Sequence, residues 1–283
     1  MATPYYTLLL CPCNVKNATV LQHPPCAEQI WYSSLMQQLN LQDFDAVAFD
    51  FEGTLADTIP THHKARLAAF EQHGYGHITP EQHALGPTYG SYPADIIGGI
   101  LQAAGEIEKN ESLPFSKHPV VCAIMETKSE LFSQAAATGF EAMPGAVEFV
   151  KRIAPLVTGR LALVTASQEQ YFWPFADRYG LRPYFAAKYV IGHDTIVTEG
   201  LQGKPAPDPY ILAKKRLDST RMLAFEDTVS GAASASQAAT TVVALGFEAQ
   251  NAKLFQTGDL AYPPDIFVRN YAKAAEALGL AAA

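Results

Sequence analysis

The sequence predicts an α/β protein whose core is an open parallel sheet and whose first strand is followed by a helical insert. Short apolar runs alternate with stretches of helical periodicity, and strands buried on both faces between helices are typical of parallel sheets. The candidate strands lie at residues 46–49, 160–165, 188–191, 222–225 and 241–245. Residues 50 and 165, which stand at the ends of two of these strands, are 115 positions apart, whereas a strand–helix–strand unit takes roughly 30 residues.

The additional length between these strands indicates a separate helical unit, because long structureless loops are uncommon in compact domains. Helical patterns cover residues 61–73, 120–136, 144–153, 209–217 and 230–239. The stretch before residue 44 shows no clear period. We therefore expect an N-terminal extension at residues 1–43 and an α/β core formed by residues 44–57 and 141–283. The inserted helical domain is expected at residues 58–140.

The composition excludes several classes of protein. Hydrophobic residues make up 48% of the 283 residues, which is too many for a disordered or fibrous chain. The formal net charge of −8 argues against a large basic face for nucleic acid. No apolar run reaches the roughly 18 residues of a transmembrane helix, and no Lys or Arg precedes the short apolar run at residues 8–10. We expect a cytoplasmic monomer or homodimer with neither a nucleic-acid nor a membrane partner.

Three of the four cysteines lie near the N-terminus, together with a histidine. Cys11, Cys13, His23 and Cys26 are of the types that bind zinc. They lack the paired Cys-x-x-Cys spacing of common zinc sites, so reduced thiols are the favoured interpretation and a zinc site is the alternative. Cys122 stands in an apolar stretch and is expected to pack as a small hydrophobic residue.

Polar side chains stand at the ends of three candidate strands, and a lysine lies in a proline-rich loop. In an open parallel sheet these ends meet at one crevice, where ligands bind. Several carboxylates in one crevice repel each other unless a cation joins them, and oxygen ligands favour Mg²⁺. A Mg²⁺ ion beside a lysine and hydroxyl donors suits a phosphoryl group. The residues concerned are Asp50, Glu52, Thr165, Ser167, Lys204, Glu226 and Asp227.

These motifs resemble those of the haloacid dehalogenase (HAD) superfamily, which is dominated by phosphatases. The segment 50–57, DFEGTLAD, resembles the first motif, and Thr165, Lys204 and Glu226-Asp227 match the second, third and fourth in order. The residues around the third and fourth motifs resemble those of the branch that contains beta-phosphoglucomutase and phosphoglycolate phosphatases. Members of this branch carry a helical cap after motif one. Over residues 45–250, the resemblance implies a Rossmann-like core with a cap, and a Mg²⁺-dependent phosphatase acting on a small organic phosphate such as a sugar phosphate.

The resemblance implies a role for each carboxylate. Asp50 would be the nucleophile that attacks phosphorus and forms an aspartyl-phosphate. Glu52 would be the general acid and base. The metal ligands would be Asp50, the backbone carbonyl of Glu52 and Asp227, with Glu226 supporting the metal or its water.

The same resemblance implies how the phosphoryl group is bound. Thr165 would donate its hydroxyl to a phosphoryl oxygen, and Ala166 and Ser167 would assist with an amide or a hydroxyl. Lys204 would supply positive charge to the phosphoryl group and to Asp50. The neighbouring histidines His62 and His63, by contrast, are expected to be solvated or to stand at a helix terminus, and not to serve as ligands.

The chain departs from the family pattern at Glu52, because the phosphatase branch usually has Asp at this position. Glu keeps the acidic group but is one methylene longer, and a misplaced acid or base can cost about 10²-fold in rate. A protein of low activity that binds phosphate or a partner is therefore an alternative, with residues 1–43 as the partner-binding part.

Two other activities use related residues. A phosphosugar mutase would use the same Asp50 and Glu52, but no arginine lies between Arg66 and Arg152 to hold a second phosphate. This favours a substrate with a single phosphate, with Lys117 or Lys128 as a point charge. A carbon–phosphorus hydrolase would need a lysine that forms a Schiff base, and it usually has a small residue at the position of Glu52. Aromatic surface for the substrate could come from Tyr75, Tyr89 and Tyr92.

Overall fold

A computed structural model shows a parallel β-sheet flanked by helices, as the sequence predicts. It describes residues 39–79, 82–83, 93–108, 113–157, 160–247, 255 and 260–280. The zinc hypothesis therefore lies outside the described residues, as do Tyr89 and Tyr92. Cys122 is half-buried, and its Sγ donates a hydrogen bond to the carbonyl oxygen of Ser116 at 3.3 Å.

The strands form one large sheet and one short ribbon. Their bounds are β1 Ala46–Phe49, β2 Ala56–Asp57, β3 Glu141–Ala142, β4 Leu161–Val164, β5 Val190–Ile191, β6 Met222–Glu226, β7 Thr241–Leu245 and β8 Ile266–Val268. The large sheet has the order β5-β4-β1-β6-β7-β8, and all of its neighbouring strands are parallel. The five predicted strands are confirmed, although β5 is only two residues long.

The described helices lie between these strands. Their bounds are α1 Ile59–Gln72, α2 Pro93–Ala103, α3 Pro119–Ala136, α4 Ala146–Ile153, α5 Phe172–Arg178, α6 His193–Thr198, α7 Asp208–Leu217, α8 Val229–Gln237 and α9 Tyr271–Ala277. Short 3₁₀ turns occur at Leu41–Asp43, Phe115–Lys117, Ala154–Val157, Glu169–Tyr171, Arg182–Tyr184 and Ala187–Tyr189. The five predicted helices are found within about two residues of their expected bounds. None of the helices in the described part of the chain has the length and apolar character needed to cross a membrane.

The central strand β1 joins two hydrophobic clusters because successive side chains of a strand point to opposite faces. Val47 and Phe49 belong to an aromatic-rich cluster, in which Phe49 stacks on Phe225 with the ring centroids 5.0 Å apart. Ala46 and Ala48 belong to an alanine-rich cluster on the other face. Both faces of β1 are thus covered, and its carboxyl end is the part of the strand free to present a side chain to a ligand.

The helices α1, α2 and α3 form a third cluster of their own, built around residues such as Phe70, Ile97 and Ile124. The antiparallel ribbon of β2 and β3 pairs Ala56 with Ala142, so the chain leaves and re-enters the core at adjacent positions. In the described residues, three α-helices therefore lie between β2 and β3, in the stretch where the spacing predicts an insert. The division into domains at residues 58 and 140 stays a prediction.

Candidate active site

Asp50 lies directly after β1, in the middle of the carboxyl edge of the sheet. Its backbone N–H donates to the carbonyl oxygen of Phe225 at 3.0 Å, which fixes the residue against β6. The residue is only 7% exposed, and its Oδ1 accepts a hydrogen bond from Lys204 Nζ at 2.6 Å. Burial raises the pKa of Asp50 well above its usual range, and the charges of Glu226 and Asp227 act in the same direction against the opposing effect of Lys204.

Lys204 ties together the ends of three strands. Besides Asp50, its Nζ donates to the carbonyl oxygen of Val164 at 2.8 Å and to Glu226 Oε1 at 2.5 Å. An ammonium group has three donors, so these contacts occupy all of them. Burial would lower the pKa of Lys204, but the two carboxylates raise it above its usual value, and the side chain therefore stays charged.

Glu226, the last residue of β6, is fully buried beside this lysine. Its Oε1 also accepts from Tyr210 Oη at 2.5 Å, and Lys204 Nζ lies 5.4 Å from the centre of the Tyr210 ring. Its Oε2 is buried and has no hydrogen-bond partner within the described part of the chain. The approach of α8 to this carboxylate requires a glycine, because a Cβ on Gly231 would come 1.9 Å from Oε2.

Asp227 completes a cluster of three buried carboxylates. It is 1% exposed, and its Oδ1 accepts from Thr54 Oγ1 at 3.1 Å. Ligand atoms of Asp50, Glu226 and Asp227 all lie within 4.8 Å of one another. Three carboxylates of like charge lie together here, and buried charges of one sign need a cation. The cluster and the unpartnered Oε2 of Glu226 therefore fit a hard divalent cation bound by oxygen atoms.

Glu52 lies two residues beyond Asp50 and is held by hydrogen bonds from three directions. Thr58 Oγ1 donates to its Oε2 at 3.1 Å, His62 Nε2 lies 2.5 Å from the same oxygen, and Ser167 Oγ donates to Oε1. Burial alone would raise the pKa of Glu52, but the contacts with His62, Ser167 and Thr58 lower it below its usual value. The ionised carboxylate is thus the stable form in this arrangement.

His62 continues this network into the helical segment. Lys128 Nζ lies 2.8 Å from His62 Nδ1, and the imidazole stacks on Phe132 with the ring centres 4.0 Å apart. Burial lowers the pKa of Lys128, although the charge of Glu52 opposes this shift. His62 lies in the first turn of α1 and is partly exposed, and its neighbour His63 is exposed. The hydrogen bond of His62 to Glu52 is a contact that the sequence does not predict. The spacing of Thr58 and His62, one helical turn apart, was the sequence signal that both could reach Glu52.

The candidate phosphate-binding loop begins at the end of β4. Thr165 is buried, and its Oγ1 accepts from the backbone N–H of Ser167 at 3.1 Å, which orders the turn. Ala166 is exposed at the tip of this turn. The hydroxyl of Ser167 is not free in this arrangement because it donates to Glu52. The structure therefore brings all the sequence-predicted site residues to one edge of the sheet, and it links Ser167 to Glu52 in a way the sequence does not predict.

Two positively charged residues of the helical segment also bear on the site. Of the two lysines considered, Lys117 is exposed. Lys128 is the one whose pKa is affected by the charge of Glu52. Arg66 follows His62 by one turn of α1, and its Nε is buried without a hydrogen-bond partner in the described residues. Arg66 borders the stretch up to Arg152 that contains no arginine.

Comparisons with known proteins agree with this arrangement. A model of the haloacid dehalogenase-like hydrolases matches residues 44–239. No curated protein matches the chain. A HAD hydrolase of family IA, variant 3, from Entamoeba histolytica is 21% identical, with a TM-score of 0.60 and coverage of 83% of this chain and 97% of its own.

Two further solved structures share the fold. A HAD family hydrolase from Deinococcus radiodurans with bound phosphate and sodium is 22% identical, with a TM-score of 0.58 and coverage of 85% and 99% of the two chains. A mutant of CbbY from Rhodobacter sphaeroides in complex with xylulose 1,5-bisphosphate is 23% identical, with a TM-score of 0.52 and coverage of 80% and 93%. With the sheet order, the buried carboxylate cluster and the family match in agreement, the chain belongs to the haloacid dehalogenase-like hydrolases.

Proposed function

We propose that this protein is a Mg²⁺-dependent phosphatase that hydrolyses a small organic phosphate monoester, such as a sugar phosphate, through an aspartyl-phosphate at Asp50. The observation that supports it most is the buried group of Asp50, Lys204, Glu226 and Asp227 at one strand edge. A nucleophilic carboxylate beside a lysine and further metal-binding carboxylates is an arrangement suited to phosphoryl transfer.

The metal would be held by the carboxylates of Asp50 and Asp227, the backbone carbonyl of Glu52, and Glu226. When bound, Mg²⁺ would neutralise negative charge on the phosphoryl group and on Asp50, so that the two anions can approach. The positive charge of Lys204 would add to this neutralisation, since its Nζ already contacts Asp50 Oδ1.

The chemical steps belong to Asp50 and Glu52. A carboxylate oxygen of Asp50 attacks phosphorus and the bond from phosphorus to the ester oxygen breaks. The leaving oxygen takes a proton that Glu52, otherwise ionised, has taken up for this step. Glu52 then removes a proton from a water molecule that attacks the aspartyl-phosphate, which releases phosphate and restores Asp50. His62 Nε2, 2.5 Å from Glu52 Oε2, is the adjacent group with which Glu52 can exchange a proton.

Phosphoryl oxygens would be bound by Thr165, the Ala166–Ser167 turn and Lys204. Thr165 Oγ1 accepts a hydrogen bond from the Ser167 amide and still has its own proton to donate. All donors of Lys204 are occupied by protein groups, so binding of a phosphoryl oxygen would take over one of these hydrogen bonds.

A panel of phosphate esters, with and without Mg²⁺, tests the proposal. We expect release of inorganic phosphate from p-nitrophenyl phosphate and from at least one sugar phosphate. We also expect EDTA to reduce the rate by at least about a hundredfold, because the buried carboxylates then repel the substrate. Absence of turnover across the panel would contradict the phosphatase. Mg²⁺-dependent binding of beryllofluoride without turnover would instead favour the alternative of a low-activity binding or regulatory protein.

A phosphosugar mutase is the second candidate, and the Nε of Arg66, which is buried without a hydrogen-bond partner among the described residues, favours it. A guanidinium can bind a second phosphate with two hydrogen bonds. A mutase would move phosphate within a sugar without releasing it, and nuclear magnetic resonance of the reaction mixture would distinguish the two outcomes. The cytoplasmic location, the monomeric or homodimeric state and the lack of nucleic-acid or membrane partners stay predictions.

A further inference from the structure

Tyr271 is a buried tyrosine that the catalytic steps do not use. It is the first residue of α9 and is 2% exposed. Its ring packs against Phe149 and Phe247, with ring centres 4.8 Å and 5.8 Å apart. The strand β8 and the helix α9 lie beyond residue 239, where the family match ends. Family motifs therefore assign nothing to this residue.

The hydroxyl of Tyr271 reaches the loop that follows β1. Its Oη donates to the carbonyl oxygen of Thr54 at 2.9 Å, in a buried contact between residues 217 positions apart. A tyrosine hydroxyl in apolar surroundings needs a partner, and a carbonyl left without a donor there would be costly. Thr54 is itself fully buried, so this carbonyl has no access to solvent as an alternative.

Thr54 connects Tyr271 to the carboxylate cluster through two hydrogen bonds. While its carbonyl accepts from Tyr271, its side-chain hydroxyl donates to Asp227 Oδ1 at 3.1 Å. Burial raises the pKa of Tyr271 well above its usual value, and the charges of Asp227 and Asp50 act in the same direction. Tyr271 therefore remains a protonated donor across the working pH range.

We propose that Tyr271 is a positioning residue that orients Asp227 for its metal through the backbone and hydroxyl of Thr54. This inference rests on the proposed function, in which Asp227 is a metal ligand. Residues that hydrogen-bond to a metal ligand fix its orientation, and their loss typically lowers metal affinity by about 10- to 100-fold. The C-terminal unit β8–α9 thus takes part in forming the metal site.

The test uses the full-length protein with Tyr271→Phe and, as a matched control, Tyr179→Phe. Tyr179→Phe also removes a hydroxyl that bonds to backbone: the Tyr179 Oη accepts from the Ala142 N–H at 3.1 Å and donates to Glu141 Oε2 at 3.0 Å, away from the carboxylate cluster. Both variants are expected to melt at a lower temperature in EDTA. The decisive reading is the Mg²⁺ concentration needed for a given rise in melting temperature above the value in EDTA, because a bound ligand stabilises the folded state by RT ln(1 + [L]/Kd). We expect a rise of about tenfold in Tyr271→Phe and no change in Tyr179→Phe.

A second variant, Thr54→Val, keeps the shape of the side chain and removes only the hydroxyl that contacts Asp227. It should raise the Mg²⁺ requirement in the same way, and the double variant should add little to either single one, because the two groups act in series. Equal Mg²⁺ requirements in wild type and Tyr271→Phe would overturn the inference alone. If Mg²⁺ does not stabilise even the wild type, the proposed metal-dependent function fails and the inference fails with it.

Discussion

Asp50→Asn is expected to lower turnover by at least about a thousandfold without unfolding the protein. The amide has the shape of the carboxylate but cannot attack phosphorus. The carboxylate of Asp50 is buried and its pKa is raised well above the usual range, so its ionised form costs folding free energy. Removing that charge should therefore leave the melting temperature in EDTA unchanged or slightly higher.

The sign of the pH effect follows from the same shift. Because the folded-state pKa of Asp50 lies above the unfolded value, the wild type loses stability as the pH rises through the unfolded pKa toward the folded one. The variant should lack this part of the pH dependence. Initial rates with p-nitrophenyl phosphate and melting curves in EDTA give both readings. A variant that retains a tenth of the wild-type rate would contradict the assignment of Asp50.

Lys204→Met is expected to abolish activity and to destabilise the metal-free protein strongly. The substitution leaves Asp50 and Glu226 buried without the cation that lies 2.6 Å and 2.5 Å from them. Removing one partner of a buried ion pair typically costs about 3–5 kcal/mol of folding free energy, which corresponds to a fall in melting temperature of about 10 °C for a chain of this size.

A matched substitution separates this effect from a general loss of charge. Lys215 is an exposed residue of α7, and Lys215→Met should change the free energy of unfolding by less than about 0.5 kcal/mol. Mg²⁺ should recover part of the stability of Lys204→Met, because a divalent cation can replace the lost positive charge. A Lys204→Met protein as stable in EDTA as Lys215→Met would show that Lys204 does not hold the cluster together.

The central site residues could be predicted from the sequence because their positions follow from local patterns. Asp50, Thr165 and Glu226 each come at the end of a short apolar run, and parallel strands bring such ends to one edge. The order of the four motifs, together with the long spacing between the first two, was enough to predict the fold and the main candidate residues.

The supporting residues could not be predicted because their contacts depend on packing between distant segments. Lys128 meets His62 across 66 positions, and Tyr271 meets Thr54 across 217. Neither pair belongs to a local pattern, and the tertiary packing of distant segments decides that they meet. Strand β8 was missed for a related reason, since the three residues Ile266–Val268 are too few to show a period.

The covalent intermediate at Asp50 is the central claim, and chemical trapping tests it most directly. With p-nitrophenyl phosphate, whose leaving oxygen needs no proton, Glu52→Gln should still form the intermediate but hydrolyse it slowly, because glutamine cannot activate water. Borohydride added during turnover reduces an aspartyl-phosphate to homoserine, which mass spectrometry locates in the peptide. We predict homoserine at residue 50, only when both substrate and Mg²⁺ are present. Homoserine at a different carboxylate, or none while the unmodified enzyme turns over under the same conditions, would contradict the mechanism.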